Sequence, residues 1–188
     1  EYLRVLNAGG RPVESLPVAE ARKVLADVQA AVEVDLSGID EREREIVADG
    51  HALTLHLVRP HGSRGRLPYF VFIHGGGWVL GDYPTHRRLI RDLVVESEVA
   101  AVFVDYTPSP EAKYPQAVDE IYAAVKWVAE NDAELDLDRR RMALVGNSAG
   151  GNMALAAAFF TLVWSIVPFV TKRARVGRVV IAPPSETP

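Results

Sequence analysis

Apolar positions change their rhythm twice along the chain. Near the start, Val24, Leu25, Val28, Ala31 and Val32 recur at helical spacing, and Pro17 and Glu20 suit a helix entrance. After a charged stretch at residues 40–45 the period shortens to two. Residues 45–48 and 52–58 alternate on either side of Asp49-Gly50, a tight-turn dipeptide, so they are expected to pair antiparallel at a sheet edge. From residue 69 onward, short runs that are apolar throughout alternate with amphipathic ones. Residues 69–73, 99–104, 142–145 and 176–182 read as strands. Helices are expected over 85–96, where Leu89, Ile90, Leu93 and Val94 share a face, around Val118, Ile121, Val125 and Val128, and from Asn152 onward. Strands without a polar face imply a sheet covered on both sides. The expected fold class is α/β, a mostly parallel sheet with helices on both faces. A helical segment at 1–40 precedes a core at 41–188.

Charge and composition narrow the function classes. A net charge of −4 gives no polyanion-binding surface, so no nucleic acid partner is expected. Cysteine is absent, which removes disulfides, thiolate chemistry and Cys-based metal sites and fits a reducing, cytoplasmic setting. No metal and no cofactor are expected. Residues 153–170 carry no charge, but the run holds Thr161, Ser165 and Pro168 and falls short of the roughly 20 apolar residues a membrane span needs. It reads as a core helix following a turn, and Lys172, Arg173, Arg175 and Arg178 after it read as a solvated surface turn.

The chemistry concentrates in two glycine-rich turns. Gly146-Asn147-Ser148-Ala149-Gly150, followed by Gly151, lies between a strand and a helix. A turn that tight needs small residues around the serine, and it presents the Oγ at the sheet's C-terminal edge. The N–H of Ala149, at the helix start, then points toward a developing oxyanion. An ordinary glycine-rich strand-to-helix turn would look similar in isolation. A dinucleotide-binding turn fits less well, since it needs glycine where Ser148 stands, and the Gly-Lys-Ser/Thr ending of a P-loop is missing. The second turn, His74-Gly75-Gly76-Gly77-Trp78, follows the strand ending at Ile73. Consecutive glycines allow backbone N–H groups to approach a ligand, forming the other wall of an oxyanion hole.

Both turns, in this order, resemble the hormone-sensitive-lipase-like family of α/β-hydrolases, mostly carboxylesterases and acetyl esterases. Asp105-Tyr106-Thr107-Pro108-Ser109-Pro110-Glu111, then Tyr114-Pro115, is similar to the family's Tyr-Arg-Leu-Ala-Pro-Glu loop, with Thr107 in place of its arginine. The resemblance implies that Ser148 is the catalytic nucleophile and that Gly75, Gly76, Gly77 and Ala149 build the oxyanion hole. In that reading Gly76, Gly77 and Ala149 supply the N–H donors and Gly75 sets the loop's shape. His74, Gly146, Asn147 and Gly150 support the motifs, with Asn147 replacing the commoner Asp. The helices before residue 40 would form part of a cap over the pockets.

A nucleophilic serine needs a base and an acid that orients it, and in α/β-hydrolases these follow in the order Ser, Asp or Glu, His. After Ser148 the sequence has no His and no Asp, and Glu186 is its only acid there. The five histidines, His51, His56, His61, His74 and His86, all precede it. His51, His56 and His61 read as ordinary surface residues, and His86 as a loop residue near the site. The expectation is therefore an ester hydrolase acting on small or medium acyl esters. These 188 residues are expected to lack the C-terminal part of the fold and to be weakly active or inactive. A non-catalytic ligand-binding protein of the same fold is the alternative. An unpaired sheet edge near Ile181 would favour self-association.

Overall fold

The computed structural model describes residues 11–160. Expectations for the strand at 176–182, the edge beside it, the basic cluster from Lys172 to Arg178 and the second half of the 153–170 run lie outside those residues. A 3₁₀ turn, Val13–Ser15, precedes α1, Val18–Ala30. Strands β1 (Ile39–Ala48), β2 (His51–Pro60) and β3 (Leu67–Ile73) come next. Then α2 (Tyr83–Ser97), β4 (Ala100–Asp105), α3 (Gln116–Glu130) and β5 (Leu137–Gly146) alternate. A helix at 149–160, α4, begins three residues after β5 ends.

The described strands form one sheet in the order β1-β2-β4-β3-β5. Its β1-β2 and β2-β4 pairs are antiparallel, and its β4-β3 and β3-β5 pairs parallel. Asp49 and Gly50 both take positive φ, 47° and 88°, the geometry that a two-residue hairpin turn requires. The charged residues 40–45, expected to lead into the sheet, belong to β1 itself, which pairs with β2 from Ile39 opposite Pro60 to Ala48 opposite His51. As an edge strand with little covering it, β1 accommodates charge; only Ile46 and Ala48 in it are buried. β5 likewise starts earlier than its apolar run, at Leu137 opposite Leu67; the register then shifts to Met142 opposite Tyr69, with Arg139, Arg140 and Arg141 exposed in between.

Period-two alternation in β3 and β4 divides the core between the two faces of the sheet. Tyr69, Val71, Ile73, Val102 and Val104 pack with Ile121, Ala124, Val125 and Val128 of α3 and with Met153 and Ala157 of α4. Phe70, Phe72, Ala101 and Phe103 pack on the other side against Tyr83, Ile90 and Val94 of α2. α1 differs. Its spacing predicts a helix, but Val24 and Val28 stay 39% and 41% exposed, and Ala21 is its one buried residue. Among the described residues, no helix is long and apolar enough to cross a membrane.

α2 enters through a complete capping box: Asp82 accepts from the Thr85 N–H, and the Thr85 hydroxyl accepts from the Asp82 N–H. Asp82→Ala should cost about 0.5–2 kcal/mol, lowering the melting temperature by about 2–4 °C per kcal/mol in a chain of this size. Asp82→Asn should retain most of it. Thermal melts of the two variants check this, and equal losses would rule out the cap as the cause.

Candidate active site

β3 and β5 end level with one another, Ile73 opposite Gly146. That register sets the two glycine-rich turns side by side above the sheet. At the end of β5 the chain reverses sharply, and Ser148 sits at the bend with φ 52°. Left-handed backbone at a non-glycine residue costs on the order of 1–3 kcal/mol and persists only where neighbours fix it. Here the fixing element is α4, which starts at residue 149 and lies directly on the end of β3. A Cβ on Gly150 would stand 2.0 Å from the Ile73 carbonyl oxygen and 2.6 Å from that of His74, so only glycine fits. Ser148 is exposed, whereas Ala149 is buried.

The turn after β3 forms the facing wall. Gly76 has φ +120° and accepts from the N–H groups of Val79 and Leu80; a Cβ there would lie 2.0 Å from the Leu80 oxygen. Among the described residues, no group accepts a hydrogen bond from the N–H of Gly76 or Gly77, or bonds to the Ser148 Oγ. Ala149, as the first residue of α4, has no carbonyl one turn below it within the helix. The Gly75 N–H is engaged: it donates to Asn147 Oδ1 at 2.9 Å. Gly75 therefore joins the two turns, and the N–H groups of Gly76, Gly77 and Ala149 are uncommitted among the described residues.

A buried imidazole and a half-buried one back this arrangement. His74 is 1% exposed and stacks on Tyr106, ring centroids 4.2 Å apart, with Phe103 on its other side. Burial pushes its pKa down to about 4, so it is neutral at pH 7, and Nδ1 lies 2.8 Å from the Gly75 carbonyl oxygen, to which it donates. The Tyr106 hydroxyl donates to the His74 carbonyl at 2.9 Å. His86 stands in the first turn of α2, not in a loop. Burial also lowers its pKa. Its Nδ1 is 3.1 Å from the Asp82 carbonyl oxygen, which assigns the proton there and leaves the Nε2 lone pair 3.5 Å from Asn147 Nδ2. Asn147 thus accepts from Gly75 and donates toward His86. His86 comes to the elbow yet faces Asn147, not the nucleophile.

The remaining histidines stand apart from the elbow. His56 is not a surface residue: β4 covers β2 on the side away from β1, and His56 is buried with its ring stacked on Tyr83 at 4.0 Å. His51 is half-buried, 3.9 Å from Glu120, and exposed His61 pairs with Asp40 at 2.8 Å. Glu120 itself is a site-supporting residue that sequence reasoning missed. It is 3% exposed and accepts from the Thr107 N–H and from Gln116, pinning the loop after β4. Gly81 is another, since a Cβ there would stand 2.6 Å from the Gly75 oxygen and 2.8 Å from His74 Nδ1. A glycine just before a helix-capping Asp was the available signal.

Comparison with known proteins agrees with this geometry. Residues 70–164 match the family described as alpha/beta hydrolase fold. The chain is 41% identical over 117 residues to carboxylesterase NlhH of Mycobacterium tuberculosis, covering 62% of this chain and 37% of the relative. It is 30% identical over 166 residues to ethyl acetate hydrolase of Pseudomonas putida, covering 84% and 52%. Among solved structures, a thermostable esterase from Pseudomonas putida superposes with a TM-score of 0.81 at 55% identity, over 84% of this chain and 50% of that one. The chain spans about half the length of such relatives, or less.

Asn147→Asp should raise the titration midpoint of His86 by about one pH unit or more, because a carboxylate beside Nε2 favours the charged imidazolium. Histidine proton NMR measures this directly, and an unchanged midpoint would remove Asn147 from contact with His86. His74 and His86 have folded pKa values below the ordinary 6.5, so the unfolded chain takes up their protons first as pH falls. Stability from their burial is present above pH 6.5 and should decline from there toward about pH 4, the value for His74. Denaturant melts across that window test the sign.

Proposed function

The chain belongs to the alpha/beta hydrolase fold family, and on that premise we propose that it serves a carboxylic ester hydrolase working through an acyl-enzyme on Ser148. The observation that carries this reading is the exposed, left-handed Ser148 beside the glycine turn, whose Gly76 and Gly77 N–H groups are uncommitted among the described residues. In the first half-reaction the Ser148 Oγ attacks the ester carbonyl carbon and gives up its proton to a base. The carbonyl oxygen becomes an oxyanion within reach of the three N–H groups. Collapse of this tetrahedral species expels the alcohol and leaves an acyl-serine, which water then hydrolyses. Each donor of such a hole is typically worth about 10²–10³ in turnover.

Small, uncharged acyl esters are the proposed substrates. The ethyl acetate hydrolase of Pseudomonas putida supports that class, as does a wall built from glycine backbone with no charged side chain on it. A cytoplasmic setting without cofactor or nucleic acid belongs to the same reading. Turnover by these 188 residues is proposed to be weak, because the imidazole nearest the elbow, His86, turns its lone pair toward Asn147. That observation also favours a second reading, a protein of this fold that binds esters without cleaving them.

Hydrolysis of p-nitrophenyl acetate and butyrate, with Ser148→Ala as control, separates the two. Slow hydrolysis or an acetylation burst that disappears in the variant supports the hydrolase. Identical traces from the two proteins, with saturable ester binding in both, would leave the binding reading alone.

A further inference from the structure

α1 is held to the rest of the molecule in an unusual way. It buries only Ala21, Val18 and Leu25 are half-buried, and Val24 and Val28 are exposed, so packing alone supplies only part of its placement. Among the described residues, the side-chain hydrogen bonds it makes outside its own segment all come from Arg22. Arg22 Nε donates to the Val79 carbonyl at 2.8 Å, and Nη2 to the Ser109 carbonyl at 3.0 Å. Nη1 and Nη2 also bond the two oxygens of Glu111, at 2.8 and 2.7 Å.

These acceptors lie on two separate loops. Val79 belongs to the turn that Gly76 closes by accepting from Val79 and Leu80. Ser109 and Glu111 belong to the loop after β4, and the two loops meet where the Ser109 N–H donates to the Trp78 carbonyl at 2.7 Å. One planar guanidinium therefore fastens the glycine turn, the loop after β4 and the first helix at one point. A lysine ammonium cannot replace it, being a single charge centre without the fork that reaches separated acceptors. Only Trp78 separates Val79 from Gly77, so the carbonyl that Arg22 holds lies on the same turn as the two uncommitted donors.

We infer that Arg22 is a positioning residue: it holds the Gly76–Val79 turn in register with Ser148, and so sets the aim of the oxyanion-hole donors. What the turn does rests on the ester-hydrolase reading; that Arg22 orders it does not. The pairing with Glu111 stays intact across ordinary pH, since Arg22 holds that carboxyl down at about 2.

The test uses the 188-residue chain with Arg22→Lys and Arg22→Gln. Amide exchange followed by mass spectrometry should speed up about tenfold or more in both residues 76–81 and 108–112, in either variant, while the central strands exchange as before. Labelling of Ser148 by an alkyl fluorophosphonate supplies the second readout. There Oγ bonds to phosphorus, fluoride leaves, the Oγ proton passes to solvent, and the phosphoryl oxygen occupies the hole. The maximal labelling rate should fall about tenfold with the half-saturating probe concentration little changed, a split that loss of a merely structural contact would not give. Unchanged exchange in both loops would overturn the inference, as would full recovery by Arg22→Lys. So would faster exchange across the whole sheet, which would make Arg22 a general stabiliser. If the unaltered chain is not labelled, the hydrolase reading fails, and the exchange data still decide the role of Arg22.

Discussion

Everything at this site depends on how closely α4 approaches the end of β3. Gly150 rests where no side chain fits, against the last carbonyls of β3, and that contact fixes where the helix begins. Once the helix start and the end of β5 are both fixed, too little chain remains between them for a relaxed turn. Ser148 takes up the difference in left-handed backbone. The strain is thus a consequence of packing: two elements with buried faces are each anchored by the core, and the residue between them has one conformation left. The same contact brings Ala149 to the helix terminus facing the glycine turn. A larger residue at 150 would tilt α4 away and relieve the bend, and the nucleophile would lose its exposure together with its neighbouring donor.

The neutral imidazole of His74 engages the carbonyl side of the glycine turn, while the Gly76 and Gly77 N–H groups stay uncommitted among the described residues. His74 and His86 stand in a layer with Phe72, Phe103 and Tyr106, where desolvation holds both rings uncharged. A neutral ring has one donor and one acceptor, and here each is used directionally. His74 and Tyr106 bond the carbonyls of Gly75 and His74, so the turn's oxygens are occupied on its inner side. His86 gives its proton to Asp82 and its lone pair to Asn147. With an amide at 147, a carbonyl oxygen is available for the Gly75 N–H and an NH₂ for His86, so all polarities match without a charge. Among the described residues, the N–H groups of Gly76 and Gly77 are left without acceptors.

Much of this was legible in the sequence because it is written in local chemistry. The glycine spacing around Ser148 and after Ile73 marks backbone that side chains would obstruct, and the apolar runs mark strands covered on both faces. What was not legible is whatever depends on a neighbour distant in sequence. Residues 40–45 look like a charged linker, yet form an edge strand because β2 supplies a complete partner on one side. His56 looks like a surface residue until β4 covers it. Glu120 reads as one charge on a helix, and only the fold shows it enclosed and capping the Thr107 N–H. Arg22 carries no sequence signature at all, since its acceptors are backbone carbonyls 57 and 87 residues away.

In the proposed ester-hydrolase reading, the nucleophile and the hole are therefore local constructions, and the base is not. Gly146 through Gly151 and His74 through Trp78 build their part wherever β3 and β5 pair in register, because each feature follows from a backbone conformation or a close contact within those segments. A general base has to be delivered from another element at hydrogen-bond distance from Oγ, which requires a side chain whose backbone is fixed independently. Among the described residues, His86 is the imidazole brought nearest to the elbow, and its geometry is committed to Asn147. In that reading the arrangement of residues 11–160 separates two requirements that catalysis joins: the donors for an oxyanion lie at the sheet's end, and a base for Ser148 is not among the described residues that build it.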